Sequence, residues 1–225
     1  MMDTPIIGIF LLLLTVVAMF LGTVGVIHAL LRQKRELKKA ILIGAAIWIA
    51  AYLLILISVS ALSNGRVLGR GEVKPFCGFY LDCHLRAAVE GVDTARAIGG
   101  GATPQRLAAS GSWWIVTVRV SSNARRASLK LLQPRLMVVD DPGTVYSRAA
   151  DAERALGDTV SLERRLGPGD SLVRRVVFDL PRDVRRPRLL FTEGYWIDRV
   201  IELFLIGDED SLLHGRTTFA LTADG

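Results

Sequence analysis

IIGIFLLLLTVVAMFLGTVGVIHALL (Ile6–Leu31), RQKRELKK (Arg32–Lys39) and AILIGAAIWIAAYLLILISVSAL (Ala40–Leu62) follow one another without a break near the start of this 225-residue chain. The outer two runs hold 26 and 23 residues and no Asp, Glu, Lys or Arg; the middle octet holds five cations and one acid. A helix needs about 20 apolar residues to cross a bilayer, so each run is long enough. Lys and Arg near the ends of spans stay on the cytoplasmic side. Before the first run there is no Lys or Arg, and after the second Arg66, Arg70 and Lys74 are thinly spread. The reading is a two-pass anchor in the cytoplasmic (inner) membrane, with Arg32–Lys39 inside and both termini outside. A cleaved signal peptide would have a basic start and a shorter apolar core, so the spans are expected to stay in the mature protein.

Working outward, the composition fits this partition. The chain is 51% hydrophobic yet 22% charged, with a mean hydropathy of +0.37, so its apolar residues are concentrated rather than dispersed. That excludes disorder, a fibrous repeat and a purely soluble enzyme. The expected organisation is a transmembrane hairpin over residues 1–62 (spans 6–31 and 40–62, loop 32–39), a linker over 63–76 and an extracytoplasmic domain over 77–225. His28 is the one ionisable side chain inside a span and lies near its end, where it is affordable as a neutral imidazole. Ala18, Gly22, Gly25 and Ala29 line one face of the first helix. Small residues so spaced let two backbones approach, within the hairpin or in a homodimer.

The remainder reads as strands separated by turns. Leu81, Cys83, Leu85, Ala87 and Val89 alternate with Asp82, His84, Arg86, Ala88 and Glu90, and Trp114, Val116, Val118 and Val120 alternate with Ile115, Thr117, Arg119 and Ser121. Arg135–Asp140 and Thr144–Arg148 flank an Asp-Asp-Pro-Gly turn. Ser171–Leu180, Arg188–Thr192, Asp198–Ile206 and Arg216–Leu221 complete the set, with one short helical patch at Ala149–Leu156. Many short strands without βαβ alternation imply an all-β antiparallel sandwich or barrel.

WIVTVRVSSN (Trp114–Asn123) and LGPGDSLVRRVVFDLP (Leu166–Pro181) resemble bacterial membrane-anchored and secreted proteins with an extracytoplasmic immunoglobulin-like domain of unknown function, some grouped with a secreted immunoprotective antigen. The similarity runs over roughly Leu81–Thr192. It implies an immunoglobulin-like β-sandwich outside the cytoplasm and carries over no catalytic residue.

Cys77 and Cys83 are the only cysteines. Outside the cytoplasm an even count favours a disulfide, but six steps of unbroken strand would separate them by roughly 20 Å, so the bond requires a turn near Gly78. Free buried thiols, or a metal or redox role shared with His84 or His214, are the alternatives. Asp208, Glu209 and Asp210 form the densest acidic cluster; as carboxylates they are weak metal candidates, and without the EF-hand spacing a solvated turn is the plainer reading. Gly99-Gly-Gly101 lacks the Lys-Ser/Thr of a phosphate loop and reads as a flexible connection up to Pro104. Trp114 is expected in the core, while Trp113, Tyr195 and Trp196 are candidate binding aromatics.

Arginine outnumbers lysine 23 to 5, but the Arg pairs are interrupted by acids and do not form the basic, aromatic-studded face that nucleic acid needs. No nucleophile–base motif occurs, and no cofactor is expected. The function expected is therefore a non-enzymatic binding module held at the membrane, with a protein or envelope partner and no nucleic acid; a metal- or redox-handling envelope protein is the alternative.

Overall fold

The computed structural model describes residues 5–77, 83–99, 107–158 and 160–222. The chain divides into two units, residues 1–64 with 197–215, and residues 65–196 with 216–225.

The first unit is built on α1 (Pro5–Leu31) and α2 (Arg35–Ala61), both long and apolar enough to cross a membrane. Leucine-rich runs without proline or charge propagate a helix easily, and most of these apolar side chains are exposed. The basic octet is not a loop throughout, because α2 already begins at Arg35. The reversal takes three residues, with Gln33 in the left-handed region at φ 52° and the Lys34 N–H bonded to the Ala29 carbonyl at 2.8 Å. The small-residue face of α1 receives α2: a Cβ on Gly25 would lie 2.9 Å from Ile41 Cδ1. Ala29 is buried, and Trp48 Nε1 donates to Thr15 Oγ1 at 3.2 Å.

The second unit contains, among the described residues, nine strands in two sheets. These are β1 (Val67–Leu68), β2 (Val73–Phe76), β3 (Leu85–Ile98), β4 (Leu107–Ser122), β5 (Arg135–Val139), β6 (Val145–Ser147), β7 (Ser171–Leu180), β8 (Arg188–Thr192) and β9 (Thr218–Ala220), with α3 (Ala150–Ala155) between β6 and β7. One sheet has the order β1-β9-β8-β5-β6 and the other β2-β3-β4-β7. All pairs are antiparallel except β1 with β9. The sheets face one another across a core of Val116, Val118, Val120, Val176 and Phe178 from one and Val138, Leu189, Phe191 and Phe219 from the other. Phe76 meets Phe191 edge-on at 4.9 Å. Lys74 is buried among them, its ammonium donating to the Phe191 carbonyl at 3.0 Å and lying over the Phe76 ring. This is a β-sandwich.

Several elements differ from the sequence reading. The expected linker over 63–76 contains β1 and β2, so the sandwich starts earlier. The strand drawn from Leu81 begins at Leu85, while Leu81 and Asp82 lie outside the described residues. The expected strand Asp198–Ile206 is instead largely a helix, α4 (Trp196–Leu203), which from Ile197 on groups with the first unit. Trp113, offered as an exposed contact residue, is 8% exposed. The reason is a second layer: α3 covers the outer face of the β4–β7 sheet, where Trp113, Ile98, Val177 and Ala152 form a separate cluster and Trp113 Nε1 donates to the Leu107 carbonyl. Trp114 packs against the main core as expected.

Candidate functional site

Cys77 and Cys83 form a disulfide with Cα atoms 4.2 Å apart. β2 and β3 pair antiparallel with Phe76 opposite Leu85, so the two cysteines stand just beyond the paired ends; the turn expected near Gly78 lies outside the described residues. The unbroken-strand geometry that argued against the bond is absent, and Cys83 precedes the strand rather than sharing its inward face. The connection at Gly99–Pro104 falls, after Gly99, outside the described residues. His84 pairs through Nδ1 with the Asn123 side chain at 3.1 Å. His214 Nδ1 faces the Gly215 carbonyl at 3.0 Å.

The acidic cluster is a turn. Gly207 takes φ 83°, and the Asp208 carboxylate accepts the Asp210 N–H at 2.9 Å, as short Asx turns do. Among the described residues no three His, Cys, Asp or Glu side chains come together as metal ligands. Tyr195 and Trp196 are exposed, and Trp196 opens α4.

Helix α4 and the chain up to Gly215 carry the most unusual surface. Ile197, Val200, Ile201 and Phe204 recur at i, i+3, i+4 and i+7, the spacing of one helical face. Asp198 and Glu202, four apart, occupy another. In a water-facing helix the acids would be outside. Here Asp198 and Glu202 are 3% and 4% exposed, whereas Ile197, Val200, Leu203 and Phe204 are exposed. Beyond the helix Leu212 and Leu213 are exposed too, Leu213 at 68%. Leu213 has φ 64°, a left-handed conformation that costs a bulky residue of order 1 kcal/mol or more.

This segment is seated within the first unit on α1 and α2. The Tyr52 hydroxyl donates to the Phe204 carbonyl at 2.6 Å, Ser60 and Ser211 share a hydrogen bond at 3.1 Å, and the Gly215 N–H donates to Ser63 Oγ at 2.7 Å. Gly8 permits the closest approach: a Cβ there would stand 2.2 Å from the Ile206 carbonyl oxygen. Leu56, Ser60, Leu205 and Ile206 are buried. Sequence reasoning missed this arrangement, although Asp198 and Glu202 at helical spacing were its visible signal.

In the sandwich two buried carboxylates are tied into structure. Glu153 on α3 accepts from Arg148 Nε at 2.7 Å and Arg174 Nη2 at 2.8 Å. Burial alone would raise its pKa, but these two guanidinium donors hold it below the ordinary glutamate value. Burial pushes Asp140 up as well, yet the Thr144 N–H and the Tyr146 hydroxyl keep it low. The Tyr146 phenol is raised by burial and by that carboxylate.

No family model and no curated protein matches the sequence. Among solved structures, the chain is similar to a conserved hypothetical protein from Bacillus anthracis, at 16% identity and a TM-score of 0.42 over 55% of this chain and 94% of that one. It is similar to an uncharacterized beta-sandwich protein from Clostridium difficile, at 10% identity and 0.41 over 71% and 96%. A third similarity is to the secreted protein MPT63 from Mycobacterium tuberculosis, at 19% identity and 0.41 over 59% and 100%. The sandwich assignment rests on the two sheets themselves.

Proposed function

We propose that this chain is an integral membrane protein whose immunoglobulin-like sandwich is held at the outer face of the cytoplasmic membrane and works by binding an envelope component or protein rather than by catalysis. One observation carries the reading: α1, and α2 past Lys39, hold no Asp, Glu, Lys or Arg, and only 6% of an 18-residue apolar stretch in each is buried. A core helix of a soluble protein would be mostly buried, and an all-apolar exposed helix requires hydrocarbon as its solvent. The five cations at their junction give the orientation. A binding role is supported by the buried polar side chains of this unit, where Lys74, Glu153 and Asp140 are engaged in holding strands, turns and α3 in place.

Cysteine labelling in intact bacterial cells tests the placement. Asp141→Cys, in the β5–β6 turn, reacts with a membrane-impermeant maleimide, and Gln33→Cys reacts only after the membrane is opened. Labelling of Gln33→Cys in intact cells reverses the orientation and removes the proposal. Site-specific photocrosslinking from the sandwich surface in intact membranes tests binding: one discrete adduct is expected, and none across the exposed faces of both sheets contradicts a binding role.

A further inference from the structure

We propose that residues 197–213 are a lipid-inserted element, with Ile197, Val200, Leu203, Phe204, Leu212 and Leu213 immersed in the outer leaflet. The inference rests on the membrane-spanning reading of α1 and α2 and extends it to a third segment that lies in the leaflet without crossing it.

Three observations converge. The first is polarity: α4 buries its acids and exposes its aliphatic and aromatic side chains, which is favourable when the surrounding medium is apolar. The second is depth. Ser63, just past α2, holds Gly215, and Ser60, near the helix end, holds Ser211. Tyr52 holds Phe204 and lies nine residues before Ala61, about 14 Å along the helix axis. On the other helix, Gly8 meets Ile206 only two residues inside the run that starts at Ile6. The segment therefore descends alongside the spans, and a surface at the level of Tyr52 has lipid around it wherever α2 does. The acidic turn Asp208–Asp210 comes back up next to Ser211, toward headgroup level.

The third observation is the backbone. Peptide carbonyls in hydrocarbon must find donors within the protein, and the end of a helix is where they lack them. Five successive carbonyls past the middle of α4 are all supplied: Ile201 by the Phe204 N–H, Glu202 by Leu205, Leu203 by Leu212, Phe204 by the Tyr52 hydroxyl and Leu205 by Asp208. Trp196, exposed at the start of the helix, is the residue type that settles at a membrane interface.

The experiment uses the full chain in phosphatidylcholine proteoliposomes, with nitroxide labels at Val200→Cys and Phe204→Cys, exposed sites whose side chains hold none of the contacts above. Leu13→Cys in α1 reports the span and Asp141→Cys reports water. Collisions with oxygen, enriched in lipid, are compared with those of a water-soluble nickel chelate. The oxygen-to-nickel ratio at 200 and 204 is expected to be several-fold above that at 141 and to approach that at 13. Water-like ratios at 200 and 204 with a lipid-like value at 13 overturn this inference and leave the anchor standing. Low collision with both agents at 200 and 204 means that a second copy or a protein partner covers the face, which also overturns it. A water-like ratio at 13 refutes the spanning reading and this inference together.

Discussion

Removing the Glu153 carboxylate is the sharpest test of how the sandwich is held on its outer side. Glu153 sits on α3, is 2% exposed, and is shared by Arg148, Arg174 and the Val177 N–H. It thereby fastens α3 over Trp113 and Val177. Glu153→Ala leaves two guanidinium groups without their counter-charge in a largely dry site. Breaking a buried pair from one side costs about 3–5 kcal/mol. The Arg174 side chain is only 13% exposed and cannot escape, but Arg148 at 28% can partly rehydrate, which moves the expectation to about 3 kcal/mol. Glu153→Gln keeps the volume and loses the charge, so its loss is smaller. The pH dependence has a definite sign. The folded-state pKa lies below the ordinary glutamate value, so the stabilisation is fully present above about pH 4.5 and disappears as pH falls through the folded value. Guanidinium unfolding of the full chain in detergent micelles, followed by tryptophan emission, measures both effects. The gap between wild type and Glu153→Gln should narrow on acidification below about pH 4.5. If Glu153→Ala loses less than about 1 kcal/mol, or the gap is independent of pH, the ion cluster does not fasten α3.

Replacing Cys77 and Cys83 together by Ser should lower stability by about 2 kcal/mol, since so short a loop removes little chain entropy; disulfide-linked peptides in a non-reducing digest of the wild type confirm the bond itself. Gly111→Val places its Cβ 2.1 Å from the Leu180 carbonyl oxygen, so the β4–β7 ladder must yield, with a loss of about 3 kcal/mol, the upper end of ordinary overpacking, seen in the same unfolding assay. Gly8→Val should lift the Ile206 backbone off α1 and mobilise a spin label at Phe204→Cys, whereas Gly22→Ala, whose nearest neighbour is 3.9 Å away, should leave that spectrum unchanged.

Much of the architecture was readable because simple periodicities governed it. β7 and β8 coincide with the expected Ser171–Leu180 and Arg188–Thr192, since short apolar runs bounded by Gly167-Pro-Gly169, Pro181 and Pro187 have their ends fixed by turn chemistry. The apolar helices follow from length alone. Trp113 was misplaced because alternation assumes one wet face, and nothing local announces that a six-residue helix will cover the other. Asp198–Ile206 was drawn as a strand because isoleucine, valine and phenylalanine favour strands. The i, i+4 acids were the better guide, but their burial depends on a seat formed by residues some 150 positions earlier. A local window thus shows the two faces of the helix but not which of them is buried.

The pairing of Tyr52 with Phe204 and of Ser60 with Ser211 spans 152 and 151 residues of chain, and this has a consequence in time. At about 5–20 residues per second, the ribosome needs roughly 8–30 s after completing Ser60 to deliver Ser211. Throughout that interval the helical hairpin exists without its third piece, held by Ile41 against Gly25 and by Trp48 on Thr15. The sandwich strands up to β8 are made during the same interval. The last seat to be filled is therefore among the first to be synthesised, and a lesion in residues 197–215 would leave its mark at Gly8 and Ser60, at the opposite end of the chain.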